Sequence, residues 1–429
     1  MVSTIRSRQE RLVEQMALYG SNLQTIKYKN SGMVLRLILL GLQTNRSAIS
    51  KELDLTRTTL TNIVSNLVSS NIITEEEKEE NVSSGKRGRK SVHLSLAASA
   101  PLICGINLMR HKITVTLADM QGGIVVMEER TYTGTLRISE IEDIIAELYH
   151  LATKDIDRKI FAVGITSVGP VDCERGLILK PQQFYKDDVD FAVRDYVEEL
   201  TGCKAYLAHD VSAAAVAENL YSDAKEDDSF IYVSNIHGLG AGIFLDSRPF
   251  LGTMGQNGEL EHVSVDYRGE VCECGQRGCV GKYIDAAAIK RQVQHYADVF
   301  PEHEFVGNEE VNIFDVIRLA NRNDKLALIL LGDYCTYLSC VLSTLILTLG
   351  VTKIYISNLP ECLNGVFEEM LEREINARSY ISDYQRVTVR GTKFGLQAAV
   401  YGSFAIIMKR VFDGEMVEEL LESAGMEMN

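Results

Sequence analysis

The chain has 429 residues, 46% of them hydrophobic, with 44 Lys+Arg against 59 Asp+Glu and a formal net charge of −15. That length points to two or three domains of a soluble globular protein. No apolar run reaches membrane-spanning length uninterrupted, the N-terminus with Arg6, Arg8, Glu10 and Arg11 lacks the apolar core of a signal peptide, and nine cysteines suit a reducing cytoplasm better than a disulfide framework.

The charge is split along the chain. Residues 1–95 hold 14 Lys+Arg and 9 Asp+Glu, so a basic head precedes an acidic body, and nucleic acid is expected at the head only. Residues 3–20 read as a short helix with Ile5, Leu12, Val13 and Met16 on one side. The first firm helix is expected from Gly32 to Leu40. Asn45 is placed to N-cap a second over Ser47–Leu53, and Thr56 a third reaching about Ser69. Ile49, Leu53, Leu60, Ile63, Val64 and Leu67 recur at helical period and face one core. Two short helices so tightly joined resemble a helix-turn-helix whose second helix reads DNA. That helix would present Arg57, Thr58, Thr59, Thr61, Asn62 and Ser65 to phosphates and base edges. A solvated face of an ordinary three-helix module is the alternative. Ile72–Thr74 and Ser91–Leu94 read as two strands of a wing. Between them, Lys86, Arg87, Arg89 and Lys90 alternate with glycine, as in a segment that enters an A·T-rich minor groove, or in a solvated linker. One such head contacts few base pairs. A homodimer or tetramer on a roughly palindromic, A·T-rich duplex is therefore expected.

From Leu102 onward the pattern is α/β. Ile103–Leu108, Ile113–Asp119 and Ile124–Tyr132 read as strands, Ile138–Lys154 as an amphipathic helix, and Phe161–Thr166 as a buried strand leading into a turn over 167–172. Helices are expected over Ile284–Val299, Val311–Asn321, Asp324–Leu349 and Gly395–Arg410, with a buried strand at Lys353–Ser357 and an amphipathic tail from Met416 to Asn429. The apolar stretch Leu338–Val351 is interrupted by Ser339, Ser343 and Thr344 and reads as a buried helix. No repeat at a solenoid period is visible. The segment Gly258–Tyr283 stands apart. It gathers Cys272, Cys274 and Cys279 downstream of His262, and Gly275 and Gly278 let the chain turn tightly enough for the thiols to converge. Thiolates and a neutral imidazole are the donors zinc prefers, and four of them close a tetrahedral structural site with no open position. Reactive or buried thiols without a metal are the alternative. The expected organisation is a DNA-binding head over 1–95 and a body over 96–429.

The His…Cys-x-Cys-Gly-x-x-Gly-Cys pattern resembles the signature of the ROK family of repressors, open reading frames and sugar kinases, and the similarity extends over nearly the whole chain. The resemblance implies an actin-like ATPase body of two α/β lobes with a sugar site in the cleft, preceded in the repressor branch by a winged helix. The kinases of this family carry Asp-x-Gly-Gly-Thr in the first hairpin. Here it reads Asn107-Leu108-Met109-Arg110-His111, which puts side chains where phosphates would lie. Gly238, Gly240 and Gly242 fit a second phosphate loop or a tight interstrand turn. The sugar-site motif Asn-Asp-Ala-Asn-Ala-Ala becomes His209-Asp210-Val211-Ser212-Ala213-Ala214. Asp210 fits either a sugar contact or a helix cap. Glu259 and His262 match the Glu and His of Glu-x-Gly-His, with Glu261 replacing the Gly. Gly281 stands where the family has a glutamate, so one sugar contact is lost. The resemblance thus implies a non-catalytic, zinc-containing repressor of carbohydrate genes, with Asp210, Glu259 and His262 meeting a sugar or sugar-phosphate effector. A sugar kinase with an appended head is the alternative, and a body that binds a protein partner is a third.

Overall fold

A computed structural model describes residues 22–78, 91–181, 183–236, 238–252 and 257–425. The helix expected over 3–20 and the basic run Lys86–Lys90 lie outside the described residues.

The head is three helices and a hairpin, α1 Leu23–Leu39, α2 Arg46–Glu52, α3 Arg57–Ser69, β1 Ile73–Lys78 and β2 Ser91–Leu96. Asn45 accepts from the Ser47 amide and Thr56 from the Thr59 amide, so both expected caps form. Ile49, Leu60, Ile63, Val64 and Leu67 are buried together with Val34, Leu35 and Leu94. The Asn45–His93 bridge and the Leu94 amide on the Thr44 carbonyl join the hairpin to the start of α2. This helical arrangement is consistent with a helix-turn-helix. One expectation is corrected. The first helix starts nine residues before Gly32, capped by Asn22. Gly32 lies inside it because a Cβ there would stand 2.5 Å from the Val411 carbonyl oxygen. The glycine marks a close helix–helix approach, not a helix start.

The body contains two sheets of the same design. In the first, β3 Leu102–Met109, β4 Lys112–Ala118 and β5 Ile124–Thr131 run antiparallel. β6 Ile160–Ser167 and β9 Ala205–His209 add in parallel beyond β3, in the order β5-β4-β3-β6-β9. A two-stranded ribbon, β7 Val171–Asp172 and β8 Leu177–Ile178, lies between them in sequence. In the second sheet, β10 Phe230–Ser234, β11 Gly240–Leu245 and β12 Arg248–Phe250 are antiparallel. β13 Lys353–Ile356 and β14 Thr388–Gly391 extend it in parallel, in the order β12-β11-β10-β13-β14. The chain therefore repeats one topology in two lobes, the actin-like ATPase plan, without a repeat legible in its residues.

Period-two alternation assigns each strand's faces. Ile231, Val233, Ile354 and Ile356 enter the outer core of the second lobe. Phe230, Tyr232 and Tyr355 face inward, with Phe230 stacked on Phe244 at 5.0 Å. Helices α4 Ile138–Thr153 and α5 Val193–Thr201 supply apolar faces to the outer core of the first lobe. Beyond the short α7 Gly281–Ile284, the second lobe gathers α8 Ala286–His295, α9 Ile313–Ala320, α10 Lys325–Leu349, α11 Val366–Asn376 and α12 Ser379–Tyr384. One of these corrects an expected span. The helix read over Ile284–Val299 divides at Asp285, whose carboxylate caps α8. Helix α10 is apolar and long enough to cross a bilayer by composition, but it is mostly buried in the core of the second lobe.

Between the sheets lie α6 Asp210–Tyr221 and α13 Ala398–Phe412, followed by α14 Val417–Ser423. Gly105 and Gly164 on the first sheet admit Ser403 of α13, and any Cβ at either glycine would collide with it. Within α6, Glu218 is fully buried. Its Oε2 accepts from Thr392 Oγ1 at 3.0 Å and its Oε1 has no partner. Burial pushes this carboxyl up to about 7, while Thr392, Ser222 and Lys393 act in the opposite sense. The folded state thus favours the protonated form, and its contribution is present at low pH and lost as pH rises toward about 7. Thermal melts of Glu218→Gln should lack this loss. The wild-type chain should lose up to about 3 kcal/mol more than the variant between pH 5 and pH 8.

Candidate functional site

The segment after β12 begins at Gly258, whose positive φ and contact with Ala241 exclude any side chain. A single 3-10 turn, Leu260–His262, follows. His262 Nδ1 and Cys272 Sγ lie 3.6 Å apart, as do Cys274 Sγ and Cys279 Sγ, and one donor atom from each of the four residues lies within 4.8 Å of every other. Backbone bonds set this convergence. Ser264 bridges Cys279, Val271 bridges Arg277, and the Cys272 amide donates to the Gln276 carbonyl at 2.7 Å. Gly275 and Gly278 both have positive φ, and a Cβ at Gly278 would strike the Asp266 carbonyl. Burial, with the neighbouring thiols adding to it, pushes the Cys279 thiol up to about 12. The Gln276 amide holds Cys274 below its ordinary value. Three thiols this close cannot all ionise without a cation, and three sulfurs with one imidazole make a closed tetrahedral set that fits zinc.

A second cluster forms where β9 runs into α6. His209, 6% exposed, points Nε2 at Asp210 Oδ1, 3.2 Å away, and at Glu259 Oε1, 3.6 Å away. Asp210 is the first helical residue, with His209 at the cap position, and its Oδ1 also accepts from the Val211 amide at 2.7 Å. Burial raises its pKa; His209, the Val211 amide and Arg110 counter this. The fold thus brings Asp210 and Glu259 to one imidazole, and the local capping bond leaves Asp210 Oδ2 outside it. His262, two residues past the start of the same turn, belongs to the thiol cluster. His209 was not among the expected site residues. Its adjacency to Asp210 at a strand end is the signal that could have found it.

The glycine-rich turns resolve differently. Arg110 and His111 form the two-residue turn of the β3–β4 hairpin, with His111 at φ 68 and Met109 paired to Lys112. Tyr132 donates to the Met109 carbonyl at 3.0 Å and tilts against His111, and Asn107 donates to Thr166 Oγ1 at 2.8 Å. Side chains and a fixed hairpin therefore occupy this corner. A Cβ at Gly242 would stand 2.1 Å from the Val211 carbonyl oxygen and one at Gly240 2.9 Å from a Val211 methyl, so packing against helix α6 accounts for both glycines. Gly238 is taken up below.

On the head, α3 exposes Arg57, Thr58, Thr61, Asn62 and Ser65, while Thr59 is half-buried and its hydroxyl lies 2.8 Å from that of Thr56. Arg46 binds Glu75 at 2.6 Å, fastening α2 to β1.

A two-lobed ATPase-type body with a thiol–imidazole cluster beside its cleft and a helix-turn-helix ahead of it defines the class. Residues 103–410 match the family model described as the ROK family, and the chain belongs to that family. A curated relative named "putative xylose repressor", from Caldicellulosiruptor sp. (strain Rt8B.4), is 26% identical over 391 residues, covering 89% of this chain and 96% of the relative. The crystal structure of a ROK family transcriptional regulator, described as a homolog of the E. coli MLC protein, superposes with a TM-score of 0.78 at 26% identity, covering 93% of this chain and all of that one. A ROK family glucokinase from Streptomyces griseus, in complex with glucose and AMPPNP, superposes with a TM-score of 0.61 at 21% identity over 70% of this chain and 97% of its own.

The donor set predicts one tightly held zinc ion per chain. Metal analysis of purified protein should find close to one equivalent, and Cys272→Ser should lower it below half. Because the Cys279 thiol must release its proton to ligate, zinc retention against a chelator should weaken as pH falls.

Proposed function

We propose that this chain is a cytoplasmic, zinc-containing transcriptional repressor of carbohydrate genes, controlled by a sugar bound in a non-catalytic ROK body. The observation that carries the reading is the head itself, a capped helix-turn-helix with an exposed polar α3, joined through α1 to a body whose relative is named a xylose repressor. Arg57, Thr58, Thr61, Asn62 and Ser65 are assigned to the major groove, with Thr59 holding the cap. Lys86, Arg87, Arg89 and Lys90 are assigned to the adjacent minor groove, and residues 1–95 to the DNA-binding unit. Asp210, Glu259 and His262 are assigned to the effector, and His262, Cys272, Cys274 and Cys279 to zinc. Two heads on one duplex require a homodimer or a dimer of dimers on a roughly palindromic, A·T-rich operator.

A mobility shift with upstream DNA of the chain's own operon is the test. The full chain should bind with affinity falling steeply as salt rises, and Arg57→Ala should weaken binding by about 1–3 kcal/mol. A body lacking residues 1–95 that binds the same DNA equally well would refute the assignment.

The body is assigned no kinase activity. The kinases' glycines in the first hairpin are Met109 and Arg110 here, and of the glycines kept in the second loop Gly240 and Gly242 answer to helix packing. A coupled assay with common hexoses and amino sugars should show no ATP-dependent phosphorylation. Turnover that disappears in Asp210→Asn would overturn this.

A further inference from the structure

The turn that carries Glu259 and His262 also carries Glu261, and its side chain takes an unexpected direction. Two glycines make room for it. At Gly281 a Cβ would stand 2.5 Å from Glu261 Cγ and 3.1 Å from its Oε1, and at Gly238 a Cβ would collide with Oε2. The carboxylate therefore lies in front of Gly281 and against the α-carbon of Gly238, at the mouth of the β10–β11 turn. The Glu261 amide donates to the Leu239 carbonyl at 2.8 Å, which fixes the residue to that turn. The glutamate lost at position 281 is thus replaced in space by one from position 261.

The polar atoms around this cleft share one character. Asp210, Glu259 and Glu261 are carboxylates, which accept hydrogen bonds and donate none. His209 Nε2 faces two of them and in the neutral ring carries the proton they accept. Its Nδ1 is buried, without a partner, and left with a lone pair. Among the described residues, the Arg110 guanidinium acts on Asp210. Sugar hydroxyls supply donors without charge. A phosphate supplies charge of the sign these carboxylates repel.

Building on the effector reading above, we propose that Glu261 is a specificity-determining residue, and that the cleft accepts uncharged polyhydroxylated ligands and excludes their phosphorylated forms. The test is calorimetric titration of the zinc-loaded full chain with glucose, xylose and N-acetylglucosamine, alongside glucose 6-phosphate and N-acetylglucosamine 6-phosphate, at fixed ionic strength. At least one free sugar should bind, and phosphorylated sugars at least tenfold more weakly. Glu261→Gln, checked for unchanged zinc content and melting temperature, should strengthen binding of a phosphorylated sugar at least threefold. If Gln disturbs the fold, Glu261→Gly serves in its place. A phosphorylated sugar that binds wild-type protein as tightly as the free sugars overturns the proposal and leaves the effector reading standing. So does a Glu261 variant that gains no affinity for it. If no sugar of either kind binds, the effector reading itself falls, and this proposal with it.

Discussion

Helix α6 has no face left for water. Every residue from Asp210 to Leu220 is buried, between the second sheet on one side and α13 on the other. Its residues explain how. Ala213, Ala214, Ala215 and Ala217 are short, and glycines answer them, Gly242 against Val211 and Gly402 against Ala213. Backbones that approach this closely gain dispersion contacts along the whole helix, and a single added methyl on either partner would force the lobes apart. The same helix bears Asp210 in the cleft at one end and Glu218 under Thr392 near the other. The cleft chemistry and the contact between lobes are therefore parts of one rigid object.

Helix α13 extends that object toward the head. One side is seated on the first sheet through Ser403, and its last turn receives α1 at Gly32. Around this contact Tyr28, Leu35, Val411, Phe412 and Leu420 share one apolar core, and Gln121 donates to the Leu39 carbonyl at 3.2 Å. The first helix of the DNA-binding unit is thus built into the C-terminal helices of the body. A boundary drawn at residue 95 separates the chain by composition, but the core does not divide there.

What was legible in the sequence follows the range of the interactions involved. Asn45 and Thr56 cap their own helices, so α2 and α3 were placed within a residue or two. His262, Cys272, Cys274 and Cys279 sit within eighteen residues of one another and are donor types that could hold a metal, so they could be grouped from the sequence. Gly32 was misread because a glycine looks like local punctuation, whereas its cause lies almost four hundred residues away at Val411. Gly240 and Gly242 were ambiguous for the same reason, since their partner Val211 belongs to another element. The second sheet beyond β13, helices α5, α11 and α12, and the duplicated topology went unread, because strand order is set by pairing across the fold and leaves no repeat in the side chains. The exchange of Glu261 for a residue at 281 had both positions in view but not their meeting, which only the folded turn provides.

That turn is where the two clusters become one problem. Four consecutive residues, Glu259 to His262, send Glu259 to His209, Leu260 into the core, Glu261 to Gly238 and His262 to the thiols. A 3-10 turn spreads successive side chains by about a third of a revolution, which lets so short a segment address four surroundings. It also leaves none of them independent. Rotation about any backbone bond here moves both carboxylates and the imidazole together. Its anchors are the Ala241–Gly258 and Glu261–Leu239 backbone bonds on one side and the thiol cluster on the other. Whatever fixes His262 therefore fixes the direction of Glu259 and Glu261, and the charge presented to the cleft is held in place from outside it.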